Sequence, residues 1–372
     1  MKTSLLLGLA LILLTPVHAM AQTDRVDEYI QTEMQKRHIP SLALAVTREG
    51  KVVKQKAYGL ANVELNVPAT TDTLYQIAST TKTFTAAAIM ELVEEGKLSL
   101  DDKVAKWLPE IPAAWGGVTV RHCLTHTSGL PDIVVDQCSL KLVANTRAEA
   151  LQKLAGMPVL SKPGETWSYN QTGYVLLGMI VEKVSGMTFE EFLGQRFFRP
   201  LGMTSTRFGD AREIVPGRAS LYTRIESCNE NGPKLADRIY SAQPAYLYPS
   251  YMHTGAGINT TVEDLVKWNL ALDEEKVLKQ ATLDQMWAAA RLADGQVFRF
   301  EGTAGYAHGW VVDDRPGHKS VGHSGGGSTA YWRFLDDKLT VIVLTNCQGS
   351  DPDSLAQGVA ALYIPELAQG GN

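Results

Sequence analysis

Ser79-Thr80-Thr81-Lys82 opens a helical pattern that runs over 81–95 and stops at Gly96, a residue suited to a left-handed C-terminal cap. A separation of three residues puts Ser79 and Lys82 on one helix face, a turn apart, so the hydroxyl and the amine can meet. The free N–H groups and the dipole at a helix N-terminus favour negative charge, which assists ionisation of a serine and opposes protonation of a nearby amine. A lysine stripped of water at such a place has its pKa lowered and can act as a base. By itself the tetrapeptide also suits an ordinary N-cap serine beside a solvated lysine, so the rest of the chain has to decide.

Upstream, 27–37 has helical spacing, and 41–47 and 51–58 read as two strands around Glu49-Gly50, a β-hairpin. Downstream, 100–300 is mostly helix and long loop, with 170–184 and 261–272 the clearest helices. Segments 307–313, 319–322, 330–335 and 339–346 then read as strands, and 352–362 as a closing helix. Strands at both ends with helices between them predict an α/β (α+β) fold. An antiparallel sheet lobe is expected over about 25–78 and 300–370, with an inserted α-rich lobe over about 79–299 and a cleft between them. No internal repeat or low-complexity tract is present.

Two further segments bring chemistry to that cleft. Trp167-Ser168-Tyr169-Asn170-Gln171-Thr172-Gly173 leads into a helix, so Tyr169 precedes its first turn, where a phenol held near a lysine can relay a proton. In Val321-Gly322-His323-Ser324-Gly325-Gly326-Gly327 the glycines leave the backbone bare for close ligand approach and for an oxyanion-binding N–H. The bland alternatives are a packed aromatic and a glycine turn between strands.

Together the three segments resemble the serine β-lactamase and penicillin-binding-protein family, in particular its class C β-lactamase, D-alanyl-D-alanine carboxypeptidase and family VIII esterase branch. The resemblance runs from about 25 to 365 and includes His126-Thr127-Ser128-Gly129-Leu130 and Pro163-Gly164. It implies a β-lactamase/transpeptidase-like fold, Ser79 as nucleophile, and Lys82 and Tyr169 sharing the base role. It also implies substrate contacts from Gln171, His323, Ser324 and Gly325, and an oxyanion hole from the N–H groups of Ser79 and Gly326. Two departures stand out. Tyr169-Asn170-Gln171 ends in Gln where the family has Asn, so either Gln171 reaches the same place or Asn170 substitutes after a local shift. His323 replaces a lysine, and an imidazole offers a substrate carboxylate a weaker fixed charge. The expectation is therefore hydrolysis of esters or of D-amino-acid peptide or amide bonds. A class C-like β-lactamase and a penicillin-binding sensor without turnover are the alternatives.

Other readings of the same residues are weaker. Gly322-His323-Ser324-Gly325-Gly326 spells a nucleophile elbow, but that fold needs a later histidine and none follows His323. His122 and His126 have a zinc-like spacing, yet Cys123 stands where a zincin has glutamate, so buried hydrogen-bonded histidines are expected and no metal or cofactor.

The chain has 372 residues, 45% hydrophobic and 20% charged, enough to bury a large core, and its net charge of −5 is spread without a basic stripe, which argues against nucleic acid as a partner. The expected partner is a small-molecule or peptide acyl donor; oligomeric state is not legible. Lys2, the apolar run 5–14 and Ala19-Met20-Ala21 have the layout of a secretory signal, so residues 1–21 are expected to be removed after Ala21. The hydrolase domain would then occupy 22–372, secreted or periplasmic, with no stable membrane span. In an oxidising compartment Cys138 and Cys228 are candidates for a disulfide, while Cys123 and Cys347 read as small buried hydrophobes.

Overall fold

The structure is a computed structural model that describes residues 24–136, 141–209, 213–229, 232–242, 249–299 and 304–369. Its central element is an antiparallel sheet built from both ends of the chain. Strands β1 (Ser41–Arg48) and β2 (Lys51–Asn62) form the expected hairpin, with β3 (Val67–Pro68) on one edge. The other strands are β4 (Ala304–Tyr306), β5 (Val311–Asp313), β6 (Ser320–Gly325), β7 (Thr329–Phe334) and β8 (Leu339–Thr345). The order across the sheet is β4-β5-β6-β7-β8-β1-β2-β3.

The sheet is covered on both faces, which explains why its central strands read as near-continuous apolar runs. Successive side chains of a strand point to opposite faces. Leu42, Leu44 and Val46 of β1 and Val341 and Val343 of β8 therefore pack with helix α1 (Arg25–Lys36) and the closing helix (Pro352–Tyr363), through Val26, Ile30, Leu355 and Val359. Ala43, Ala45, Ile342 and Leu344 face the larger core, which contains helices α2 (Thr81–Glu94), α3 (Gln171–Ser185) and α4 (Val262–Asp273). Phe84 of α2 stacks on Trp268 of α4 with ring centroids 4.2 Å apart, and both side chains are fully buried. No helix among the described residues is long and apolar enough to cross a membrane.

Two segments differ from the sequence reading. The span 307–313 is not one strand: Ala307 N–H bonds to Trp310 O at 2.7 Å, making a turn between β4 and β5. Gly309 in this turn has φ +76, and a Cβ there would lie 2.6 Å from the Ala86 Cβ of α2, so only glycine lets the turn touch the helix. The second difference lies within 100–300, where helix and long loop are expected. Tyr222–Asn229 and Gly232–Ser241 form a β-hairpin, with Cys347–Gln348 parallel to its first strand. Its residues are mostly half-exposed, so burial leaves little apolar alternation to read. Cys228 in this hairpin is disulfide-bonded, and Cys123 and Cys347 are buried free thiols. The expected partner Cys138, like residues 1–23, lies outside the described residues.

Candidate active site

Ser79 sits in a 3-10 turn, Ala78–Thr80, that feeds directly into α2. Ala78 has φ +40, a left-handed backbone that costs energy for a residue with a Cβ, and it presents Ser79 at the partly exposed head of the helix. Thr80 ties the turn to the sheet by donating its hydroxyl to His323 O at 3.3 Å.

One turn on, Lys82 is fully buried. Its Nζ lies 3.4 Å from Ser79 Oγ and donates to Gln171 Oε1 and to Gly255 O, each at 2.9 Å. The rings of Tyr169 and Tyr174 lie 4.9 and 5.0 Å from the same nitrogen. Loss of water pushes the Lys82 pKa down to about 7, against the opposing pull of the Asp132 charge. A buried amine that sheds its proton near neutrality is poised to accept one from a serine.

Tyr169 hydrogen-bonds Ser79 and Gln171 through side chains. Part of its surface reaches solvent, but its hydroxyl is enclosed by protein, and that enclosure pushes its pKa up. As a neutral phenol it can both donate and accept. The two readings of Tyr169-Asn170-Gln171 separate cleanly. Asn170 caps α3, accepting Gly173 N–H at 2.9 Å and donating to Leu130 O at 2.9 Å, so its carboxamide is spent on the fold. Gln171 is the residue that turns to Lys82, and its backbone N–H is held by Asp132 Oδ1 at 3.0 Å.

Strand β6 forms the facing wall. A Cβ on Gly325 would sit 2.0 Å from Ile77 O, so glycine lets the strand end press against the chain just before Ser79. Gly326 follows with φ +57, and a Cβ there would be 3.3 Å from the Ala78 Cβ, which brings the two expected oxyanion donors, Ser79 and Gly326, into one neighbourhood.

Two expected substrate contacts take a different place. Ser324 points its hydroxyl at Asp353 on the closing helix. His323 is buried and has both ring nitrogens engaged by protein: Nδ1 with Ser324 O at 2.6 Å and Nε2 with Tyr306 Oη at 3.1 Å. Burial, followed by the nearby Lys82 charge, pushes its pKa down to about 3, so at neutral pH this position carries no charge.

Tyr306 is not singled out by sequence, and His126 only in a supporting stretch and in the zinc-like pair with His122, yet both lie beneath the site. His126 Nε2 is 3.2 Å from Tyr306 Oη, and its ring lies 4.3 Å from that of Tyr169. His126 follows the short helix Val120–Leu124 at φ +58, so it does not share a helix face with His122 in the manner a zinc pair needs.

The Beta-lactamase family model matches residues 26–364. Penicillin-binding protein 4* of Bacillus subtilis (strain 168) is 32% identical over 307 residues, 80% of this chain and 66% of that protein, so the chain spans a little under two thirds of that relative's length. Among solved structures, the octameric penicillin-binding protein homologue from Pyrococcus abyssi has a TM-score of 0.76 at 31% identity, covering 91% of this chain and 77% of that one. D-amino acid amidase from Ochrobactrum anthropi SV3, solved with L-phenylalanine amide, has a TM-score of 0.73 at 25% identity, covering 92% and 99%.

Proposed function

Because this chain belongs to the beta-lactamase family of serine hydrolases, we propose that it hydrolyses acyl donors that carry no carboxylate, esters or D-amino-acid amides, through an acyl-enzyme on Ser79. The observation that carries the reading is the buried Lys82 amine 3.4 Å from Ser79 Oγ with its pKa near neutrality. Ser79 Oγ attacks the acyl carbon, forming the C–O bond, and its proton passes to Lys82 Nζ. The N–H groups of Ser79 and Gly326 hold the oxyanion. Collapse breaks the bond to the leaving group, which takes a proton through Tyr169. Water then gives a proton to the same pair as it attacks the ester carbon, and breaking of the ester bond passes that proton to Ser79 Oγ and frees a carboxylic acid.

The choice of donor follows from charge. An uncharged His323 gives no fixed cation for a substrate carboxylate, so donors without one are favoured over peptides ending in a free carboxylate and over β-lactams. The amidase of Ochrobactrum anthropi is a relative of matching chemistry. The leader-like residues 1–21 and the disulfide at Cys228 support action outside the cytoplasm.

Steady-state rates with p-nitrophenyl butyrate, D-phenylalanine amide, a D-Ala-D-Ala peptide and nitrocefin test the reading. The ester or the amide is expected to turn over fastest, and Ser79→Ala to lose at least about a thousandfold. Preferred turnover of nitrocefin would replace the substrate assignment with the β-lactamase alternative.

A further inference from the structure

Beneath Tyr169 the structure holds a chain of hydrogen bonds that the catalytic steps above do not use. Its two ends are backbone groups whose roles are fixed: Asn170 N–H can only donate, and Ser324 C=O can only accept. Asn170 N lies 3.1 Å from His126 Nδ1, so that nitrogen must offer its lone pair and the His126 proton must sit on Nε2. His126 Nε2–H then donates to Tyr306 Oη at 3.2 Å. At the other end, His323 Nδ1 lies 2.6 Å from Ser324 O, so it carries the proton and Nε2 carries the lone pair. Tyr306 Oη lies 3.1 Å from that Nε2. The Tyr306 proton has a second neighbour, the Tyr174 hydroxyl, whose own proton is given to Leu124 O at 3.0 Å. The imidazole nitrogen is the stronger acceptor, and donation to it leaves each group from Asn170 to Ser324 satisfied in a single direction.

The chain joins the helical side of the site to the sheet. On the α-helical side His126 grips both neighbours of Tyr169: its carbonyl accepts Ser168 N–H at 2.8 Å, its Nδ1 accepts Asn170 N–H, and its ring packs on the Tyr169 ring. On the sheet side the chain ends on the carbonyl of Ser324, two residues before the Gly326 N–H. His126, Tyr306 and His323 are all buried, so water does not compete for these bonds.

We propose that His126 and Tyr306 are positioning residues, and that the one-way chain Asn170–His126–Tyr306–His323–Ser324 sets the placement of Tyr169 against the oxyanion strand. This rests on the acyl-enzyme reading for its effect on rate, but not for its proton order. Tyr306→Phe is the informative variant, because it deletes one hydroxyl and keeps the ring packing. With the ester substrate, kcat is expected to fall about 10- to 100-fold while KM changes less than about threefold, since binding is kept and geometry is lost. Circular dichroism would establish that the variant is folded.

Nitrogen-15 spectra of histidine-labelled protein give a readout that a structural role alone would not move. Wild type is expected to show His126 protonated on Nε2 and His323 on Nδ1 at neutral pH, and Tyr306→Phe to shift the His323 Nε2 resonance toward its unbonded value. Wild-type kcat in Tyr306→Phe, or His323 protonated on Nε2, would overturn the proposal. If wild type itself shows no Ser79-dependent turnover, the acyl-enzyme reading fails, and the nitrogen spectra still decide the proton order.

Discussion

Lys82 has been moved out of water while remaining within reach of Ser79, and its surroundings supply acceptors, Gln171 Oε1 and Gly255 O, with the Asp132 carboxylate as the charge that raises its pKa. The amine is competent as a base only when neutral. kcat/KM is therefore expected to rise with pH through an acidic limb near 7, the pKa of the free enzyme. Gln171→Glu replaces the neutral carboxamide at 2.9 Å with a carboxylate, which favours the charged amine. Its acidic limb should move to higher pH in a pH–rate profile; an unmoved limb would mean that another group titrates. Ser79 and Lys82 were legible in the sequence because their relation is local, three residues apart across the 3-10 turn and the start of α2. Tyr306 was not, because it meets His126 across 180 positions of chain, and no spacing rule reaches that far.

Elements meet here by close backbone approach. The glycines of β6 leave the backbone bare for a ligand, and the close approach of Gly325 to Ile77 O gives them a structural role as well. In Gly325→Ala the new methyl group has no room, so the strand end and the Ser79 turn must part. Turnover is expected to fall on the order of a hundredfold or more, measured with the ester substrate, whereas near-normal rates would show that the contact does not set the geometry. The long strands and helices were readable because both faces of the sheet are buried and α2, α3 and α4 are long and apolar. The hairpin Tyr222–Asn229 and Gly232–Ser241 was not readable, since its half-exposed surface erases the alternation.

At the scale of the whole molecule, burial of neutral imidazoles makes the fold acid-labile. His122, His126, His308 and His323 all have pKa values lowered chiefly by burial, His308 to about 4 and His323 to about 3. Below the ordinary value near 6.5 the unfolded chain binds protons at these rings that the folded chain refuses, so their contribution lowers stability as pH drops from about 6.5 toward 4, opposed at the lower end by the buried carboxyls Asp132 and Asp353, whose raised pKa values favour the folded state there. His308 alone corresponds to roughly 3 kcal/mol over that interval. Urea unfolding at pH 7, 5.5 and 4.5 should show a steady decline, and a stability independent of pH in this range would mean that these rings are not buried neutral.

The covalent role of Ser79 is the claim on which the rest depends, and it is tested most directly by rapid-quench intact-protein mass spectrometry with p-nitrophenyl butyrate. The prediction is a transient gain of one butyryl group, localised to Ser79, formed and lost at rates that account for turnover and absent from Ser79→Ala. Turnover without any adduct on Ser79 would contradict covalent catalysis, and a stable adduct without turnover would make this protein an acyl acceptor instead of a hydrolase.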